Sequence, residues 1–211
     1  MKNHNNRIEK IKNWSKDNII AIALVLLFYF IYIASLRMEN AYFCFGTTGM
    51  AYMNGEYYRF LTCLFLHSGP RHLLANTLGL LSVSSLLSRF LGKGKTIFLF
   101  LSGGVLAEIA WSVVISDQIY DIGASSGIFA LIACLIVCTL RFPDSFRFKW
   151  YRPDIIIVLV YFLFANSSVT AFLVHTFGFA AGILLSFVMV LTKALRKPAD
   201  NSRISPPSEA S

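Results

Sequence analysis

Residues 122–140 read IGASSGIFALIACLIVCTL, an uncharged stretch that carries a serine between small residues near its start. A bilayer core needs about 20 apolar residues per helix, so this stretch is long enough to span a membrane. The serine is Ser125, and His175 lies inside a second uncharged stretch. Polar and ionisable groups are costly in hydrocarbon and by default mark functional sites. The chain therefore predicts a serine and a histidine that act together inside a bilayer.

The composition also indicates a membrane protein. Hydrophobic residues make up 56% of the 211 residues, charged residues make up 14%, and the mean hydropathy is +0.62. Soluble domains carry about 25% charged residues. Apolar runs occupy 18–36, 72–88, 96–116, 122–140 and 155–192. The last run is too long for one span, and Asn166, Ser167 and Ser168 offer a turn within it. We predict an all-α, polytopic bundle of six transmembrane helices.

The basic residues predict how the chain is oriented. Sixteen of the 19 lysines and arginines fall on one side of the six predicted spans, whereas Arg37, Arg59 and Arg71 fall on the other. The positive-inside rule places the richer side, and with it both termini, in the cytoplasm. We expect an integral protein of the plasma (inner) membrane. The net charge of +8 then reflects topology and contact with anionic lipid, and we expect no nucleic-acid partner.

The apolar runs also predict how the chain is divided. Residues 1–17 form a short cytoplasmic segment, residues 18–196 form the six-span domain, and residues 197–211 form a disordered cytoplasmic tail. The tail is rich in proline and serine, which is typical of disorder. Glu108 is the one charged residue of the run 96–116. We predict that it is packed, hydrogen-bonded or snorkelling near the external half of its span.

The second predicted span begins with the motif FLHSGPRHLLAN at residues 65–76. His72 and Asn76 are four residues apart, so they share one helix face. Both side chains can donate hydrogen bonds, which the oxyanion of an acyl-transfer intermediate needs. Polar residues in helix bundles also tie helices together without any catalytic role. Taken alone, the spacing favours that second interpretation.

The last predicted span carries His175, Gly178 and Gly182 at positions i, i+3 and i+7. They line one stripe of a helix, and glycines there let a neighbouring helix approach closely. If the neighbour is the helix of Ser125, the imidazole can serve as its general base. Ordinary glycine-mediated packing with a hydrogen-bonded histidine is the alternative. Three of the four histidines lie in or beside predicted spans, which weakens that alternative.

Together the three motifs resemble the rhomboid family of intramembrane serine proteases. The chain carries the family's motifs in the right order within roughly residues 50–190. The matching residues are Gly-Ala-Ser at 123–125, His67 with the run from His72 to Asn76, and His175 with Gly178 and Gly182. The segment GEYYR at 55–59 is similar to the family's tryptophan–arginine segment in the first outer loop. Three ordered motifs on three spans are far more specific than any one of them.

The resemblance implies a serine endopeptidase that cuts transmembrane substrate proteins in or near their spanning helix. It implies Ser125 as the nucleophile, His175 as the base, and His72, Asn76 and the Ser125 backbone N–H as oxyanion donors. It implies supporting roles for His67, Gly123, Phe129, Gly178 and Gly182. It implies no metal and no cofactor, and it makes the fifth span the gate for a substrate helix.

Two details of the motif leave alternatives open. The family usually has glycine after the nucleophile, whereas this chain has Ser126, so a register shifted by one would make Ser126 the nucleophile. We prefer Ser125, because residues 128–131 then align without a gap. Phe129 stands where relatives often have a tyrosine stacked on the base, and it can stack but cannot hydrogen-bond. Cys44 and Cys63 lie near the external side, where a disulfide is permitted.

Other classes of protein fit the sequence less well. Residues 123–127 match the G-x-S-x-G motif of α/β-hydrolases, but that motif needs a strand before a helix in a soluble sheet. A zinc protease would need H-E-x-x-H, which the sequence lacks. A transporter would need paired ionisable groups along a path, and Glu108 stands alone in its span. The most serious alternative is a catalytically inactive rhomboid-like protein that binds membrane proteins.

Overall fold

The computed structural model describes residues 2–146, 151–165 and 168–195. Their α-helices are α1 (Lys2–Ser35), α2 (Ala41–Phe45), α3 (Arg59–Thr62), α4 (Pro70–Leu91), α5 (Lys93–Val114), α6 (Ser125–Arg141), α7 (Pro153–Phe164) and α8 (Val169–Leu191). Short 3-10 turns lie at Met50–Tyr52, Cys63–Phe65 and Pro143–Ser145. This part of the chain has no β-strand, only one isolated backbone bridge between Thr47 and Asp121. The predicted all-α fold class is confirmed.

Four helices of the described residues are long and apolar enough to cross a membrane: Ile11–Ser35 within α1, and α4, α5 and α8. They correspond to the first, second, third and sixth predicted spans. α6 and α7 are apolar but shorter, with 17 and 12 residues. At 1.5 Å per residue they measure about 26 and 18 Å, less than the roughly 30 Å of a hydrocarbon core. Length and composition thus confirm four spans, and the fourth and fifth stay predictions.

α6 is the central helix of the bundle, which explains how it can be short. Its residues 125–135 are all buried, and it packs against α4, α5 and α8. A helix enclosed by other helices contacts protein rather than lipid over its buried length. Such a helix does not need to match the lipid thickness by itself.

α6 and α8 pack with their backbones in contact. A Cβ atom at Gly178 would overlap the carbonyl oxygen of Ser126, and a Cβ atom at Gly182 would overlap that of Ala130. Because both contacts advance by four residues along each chain, the two helices run parallel. The chain between them must return from one end of the bundle to the other, and α7 lies in that return.

The polar cluster within the last apolar run separates two helices, as the sequence predicts. α7 ends at Phe164, and α8 begins at Val169 after the N-cap Ser168. The Ser168 hydroxyl accepts a hydrogen bond from the N–H of Ala171 at 3.1 Å, which satisfies one free donor of the first turn. Asn166, Ser167 and the predicted tail 197–211 lie outside the described residues.

We expect Gly182→Ala to destabilise the bundle. The new Cβ overlaps the Ala130 backbone, which can move only with its helix, and such overpacking costs roughly 1–3 kcal/mol. Gly94→Ala is the matched control, because a Cβ at this helical position meets nothing within 4 Å. Thermal unfolding in detergent should give a lower midpoint for Gly182→Ala and an equal or higher one for Gly94→Ala, since alanine favours helix. An unchanged midpoint for Gly182→Ala would contradict the close contact.

Candidate active site

The turn before α6 is built on Gly123. Its φ of +130° is a conformation that side-chain-bearing residues rarely adopt, so the turn requires glycine. The Gly123 N–H donates to the carbonyl oxygen of Cys63 at 2.9 Å, which ties the turn to the segment before α4. A Cβ atom on Gly123 would lie 2.7 Å from both Cε1 and Nε2 of His72. The His72 ring therefore lies directly against the turn that leads to Ser125.

Ser125 is the first residue of α6 and is 7% exposed. The first N–H groups of a helix have no partner inside the helix, and the N-terminus carries a partial positive charge. A negative charge that develops beside Ser125 is therefore stabilised. Ser126 is fully buried, and its side chain lies beside Glu108 of α5. The two neighbouring serines thus face different surroundings.

His175 of α8 faces α6. Its ring stacks on the ring of Phe129, with the centroids 4.3 Å apart and the planes within 6° of parallel. The residue is buried, so packing holds the imidazole in place. One helical turn later, Gly178 contacts the backbone of Ser126. The contact between α6 and α8 therefore brings His175 and Ser125 to the same end of the helix pair.

His72 and Asn76 present hydrogen-bond donors to the Gly123 turn. The N–H of Ser68 donates to Nδ1 of His72 at 3.4 Å, so we assign the ring proton to Nε2, the nitrogen that lies against Gly123. Asn76 is buried, and its Nδ2 makes no hydrogen bond within the described part of the chain. This Nδ2 would lie 3.5 Å from a Cβ on Gly123. Both donors are therefore beside the turn before Ser125.

Tyr161 of α7 completes this group, and sequence analysis missed it. Its hydroxyl donates to Oδ1 of Asn76 at 2.7 Å, which orients the amide so that Nδ2 faces the turn. The available signal was a tyrosine inside the apolar helix PDIIIVLVYFLF, because a buried tyrosine hydroxyl needs a partner. The identity of that partner was not readable, because the two residues are 85 positions apart.

His67 packs behind His72. It is fully buried, and its ring centroid lies 5.2 Å from that of His72 and 5.0 Å from that of Phe28. Burial, and to a lesser degree the neighbouring His72, lowers the pKa of His67 to about 3. His67 is therefore neutral at physiological pH and supports the His72 ring without adding charge.

Arg59 holds the outer loop in shape. It is 5% exposed, and its guanidinium donates to the carbonyl oxygens of Phe43 and Gly46 and pairs with Glu56. An arginine can satisfy several carbonyls at once because it has five donors in a fixed plane. The segment at 55–59, singled out in the sequence, thus anchors the loop from inside.

The outer loop is also joined to the turn before α6. Thr47 and Asp121 exchange two backbone hydrogen bonds of 3.0 and 2.7 Å. The Thr47 hydroxyl donates to the carbonyl oxygen of Arg59 at 3.1 Å. A shift of the loop would therefore be transmitted to the residues that precede Ser125. Cys44 and Cys63, for which a disulfide was left open, are both free thiols.

Comparison with known proteins assigns the chain to a family. The model of the Rhomboid domain matches residues 54–192, about two thirds of the chain, and this match includes α4 to α8. The chain belongs to the rhomboid family. The family and the apolar helices together make it a multi-pass integral membrane protein.

The relatives include proteases and inactive proteins. The chain is 31% identical to YdcA of Bacillus subtilis (strain 168), whose name gives it as a candidate rhomboid protease, over 68% of this chain and 72% of YdcA. It is 32% identical to the rhomboid protease GluP of the same strain, over 66% of this chain but 27% of GluP. It is 25% identical to inactive rhomboid protein 2 of Homo sapiens, over 64% of this chain and 16% of that protein. Membership of the family therefore does not by itself establish catalytic activity, which depends on the residues of the site.

We expect Tyr161→Phe to destabilise the protein, because it leaves the buried Oδ1 of Asn76 without its donor. An unsatisfied buried acceptor costs about 1–3 kcal/mol. Denaturant or thermal unfolding in detergent measures this, with Tyr57→Phe as the control because Tyr57 is 62% exposed. Equal stability of the two variants would contradict the hydrogen bond.

We also expect the carboxyl group of Asp121 to make stability depend on pH. Burial raises the pKa of Asp121 from an ordinary value of 3.8 to about 7, so the folded protein prefers the protonated form. Stability that is present at acidic pH is then lost as the pH rises from about 4 through 7. Thermal unfolding should show Asp121→Asn gaining stability over the wild type between pH 5 and pH 8. Asp117→Asn, at an exposed site in the same loop, should follow the wild type. Parallel curves for Asp121→Asn and the wild type would contradict the raised pKa.

Proposed function

We propose that the protein is an intramembrane serine endopeptidase that cleaves transmembrane proteins in or near their spanning helices. One observation carries the proposal, the meeting of three helices at the start of α6. His175 stacks on Phe129 there, and the donors of His72 and Asn76 lie against Gly123. A nucleophile, a base and oxyanion donors are the parts that acyl transfer needs.

In this mechanism Ser125 is the nucleophile and His175 is the general base. The imidazole accepts the hydroxyl proton while Oγ forms a bond to the carbonyl carbon of the scissile peptide, whose C=O π electrons move to the oxygen and form the oxyanion. The C–N bond then breaks, and the imidazolium gives its proton to the leaving amine. Water, deprotonated by the same histidine, attacks the resulting ester; the C–Oγ bond breaks, and the imidazolium returns its proton to Oγ of Ser125. No acidic third member is needed for these steps.

Three N–H groups are positioned to stabilise the oxyanion. They are Nε2–H of His72, Nδ2–H of Asn76 and the backbone N–H of Ser125, which has no partner inside its own helix. Loss of one such donor typically lowers the rate about 10²–10³-fold. Tyr161 holds the Asn76 amide and His67 supports the His72 ring, so both keep donors in place before substrate arrives.

The surroundings favour Ser125 over Ser126 as the nucleophile. Ser126 is fully buried beside Glu108, and its backbone is in contact with Gly178. A substrate carbonyl has no room to approach it from those sides. Ser125 adjoins the Gly123 turn, where the donors lie.

The proposed substrates are transmembrane proteins because the site lies among apolar helices. A substrate helix must unwind before its peptide bonds can react, and lipid cannot satisfy the freed N–H and C=O groups. Glycine or proline near the cut lowers the cost of unwinding. α7 is the proposed gate, since only Val158 and Tyr161 of its residues are buried. Few packing contacts therefore oppose its displacement.

The membrane setting belongs to the same proposal. Residues 18–196 form the six-span domain in the plasma (inner) membrane, between a cytoplasmic segment 1–17 and a cytoplasmic tail 197–211. Both termini are then cytoplasmic, and the active site opens toward the external face. The distribution of basic residues supports this orientation.

A second candidate function is binding of membrane proteins without cleavage. The similarity to inactive rhomboid protein 2 favours it, because that relative matches over 64% of the chain. The presence of both Ser125 and His175 argues for the protease.

A fluorophosphonate probe tests the proposal on the purified protein in detergent. We expect the wild type to be labelled, and we expect Ser125→Ala and His175→Ala to lose at least about 10³-fold in labelling rate, as loss of a nucleophile or base does. Ser126→Ala should keep labelling. Reconstituted wild type should also cleave a single-span substrate with glycine near its outer end.

The thermal unfolding midpoint of each variant controls for folding. Labelling lost only in Ser126→Ala would move the nucleophile by one residue. A folded wild type that is never labelled would favour the binding protein instead.

A further inference from the structure

Glu108 of α5 is a buried acid that the proposed mechanism does not use. Its side chain is fully buried, so snorkelling, one of the predicted possibilities, is excluded. Neither carboxyl oxygen makes a direct hydrogen bond within the described ranges. Burying a carboxyl group is strongly unfavourable without compensating partners. An apolar side chain would fill this position at a lower free-energy cost, so a buried acid here indicates a specific role.

The packing of α5 shows what Glu108 faces. Gly104 lies one turn earlier on the same helix face. A Cβ atom on Gly104 would lie 2.9 Å from the Leu64 side chain and 3.3 Å from the backbone nitrogen of Gly127. One turn farther along, Glu108 is therefore level with the segment before α4 and with the start of α6. Its carboxyl group lies next to the side chains of Ser126 and Cys63.

The outer loop reaches the same carboxyl group. Thr47 and Asp121 are also neighbours of Glu108. These two residues are joined to each other by the paired backbone hydrogen bonds of 3.0 and 2.7 Å. The neighbours of Glu108 thus include both sides of the bridge between the outer loop and the turn before α6.

Each neighbour belongs to a segment that shapes the turn around Ser125. The carbonyl oxygen of Cys63 accepts the Gly123 N–H at 2.9 Å, and Ser126 directly follows the proposed nucleophile. The hydroxyl and thiol groups around Glu108 offer hydrogen bonds rather than opposite charge. One carboxyl group therefore lies where three separate chain segments converge.

We propose that Glu108 is a positioning residue for the active-site turn, an inference that rests on the proposed serine chemistry. Its carboxyl group lies against side chains of the outer loop, the Cys63 segment and the start of α6, and packs between these three segments. It contacts no substrate. It holds residues 121–126, and with them the Oγ and N–H of Ser125, in the geometry that attack requires. A misplacement of about 1 Å at a reacting group can cost about 100-fold in rate.

Fluorophosphonate labelling kinetics of three α5 variants test the inference. Glu108→Leu removes the polar carboxyl group but fills the space, and we expect its maximal labelling rate to fall about 10–100-fold while the half-saturating probe concentration stays unchanged. Glu108→Gln keeps a donor and an acceptor and should retain the wild-type rate within about threefold. Ser112→Ala is the control and should match the wild type, because Ser112 is equally buried on α5 but bonds only its own helix at Ile109.

A wild-type rate in Glu108→Leu, or an equal loss in Glu108→Gln and Glu108→Leu, would overturn the inference. A change confined to the half-saturating probe concentration would overturn it as well. If Glu108→Leu does not fold, Thr47→Val removes a hydroxyl of the same cluster from the loop side. The inference then requires a lower maximal rate in Thr47→Val, and a wild-type rate overturns it.

Amide hydrogen exchange separates this inference from the proposed function, because it needs no activity. We expect Glu108→Leu to speed exchange at residues 121–127 and to leave α4 and α8 unchanged. Unchanged exchange at 121–127 would overturn the positioning role even in an active enzyme. A wild type without labelling would overturn the proposed function, whatever the exchange shows.

Discussion

The backbone contact between α6 and α8 is the constraint on which the rest of the structure depends. Two helices in a membrane gain no hydrophobic free energy from leaving lipid for each other, so close packing has to hold them. Gly178 and Gly182 let the α6 backbone come within contact distance of α8. That approach places His175 over Phe129 and encloses α6 on several sides. The stack of His175 on Phe129, which orients the proposed base, thus depends on glycine at positions 178 and 182.

The second constraint is the cost of polar groups in a low-dielectric interior. Asn76 accepts a hydrogen bond from the hydroxyl of Tyr161, and Arg59 donates to loop carbonyls and pairs with Glu56, which offsets the cost of burying these groups. Each of these bonds also fixes a group near the start of α6. Because burial inside the bundle shields these hydrogen bonds from competition by water, they hold their side chains in fixed orientations. Structure and proposed chemistry draw on the same polar side chains.

Much of the fold was predictable because the cost of transfer into lipid depends on local composition. Hydropathy located the helices, and the polar cluster at 166–168 located the break between α7 and α8. The short length of α6 was not predictable, since an enclosed helix does not have to match the thickness of the bilayer. Within the candidate site, the i, i+4 rule put His72 and Asn76 on one face. It could not show that this face meets Gly123, which lies far along the chain.

The sequence by itself determined that the chain is a helical membrane protein with Ser125, His72 and His175 in its apolar segments. It also determined the order of motifs that marks the family. Both follow from composition and spacing along the chain. Only the tertiary structure decided that Tyr161 holds Asn76, that Ser126 faces Glu108 and that the outer loop is joined to the turn at Asp121. Such contacts depend on how helices rotate and cross, which no local pattern in the sequence encodes.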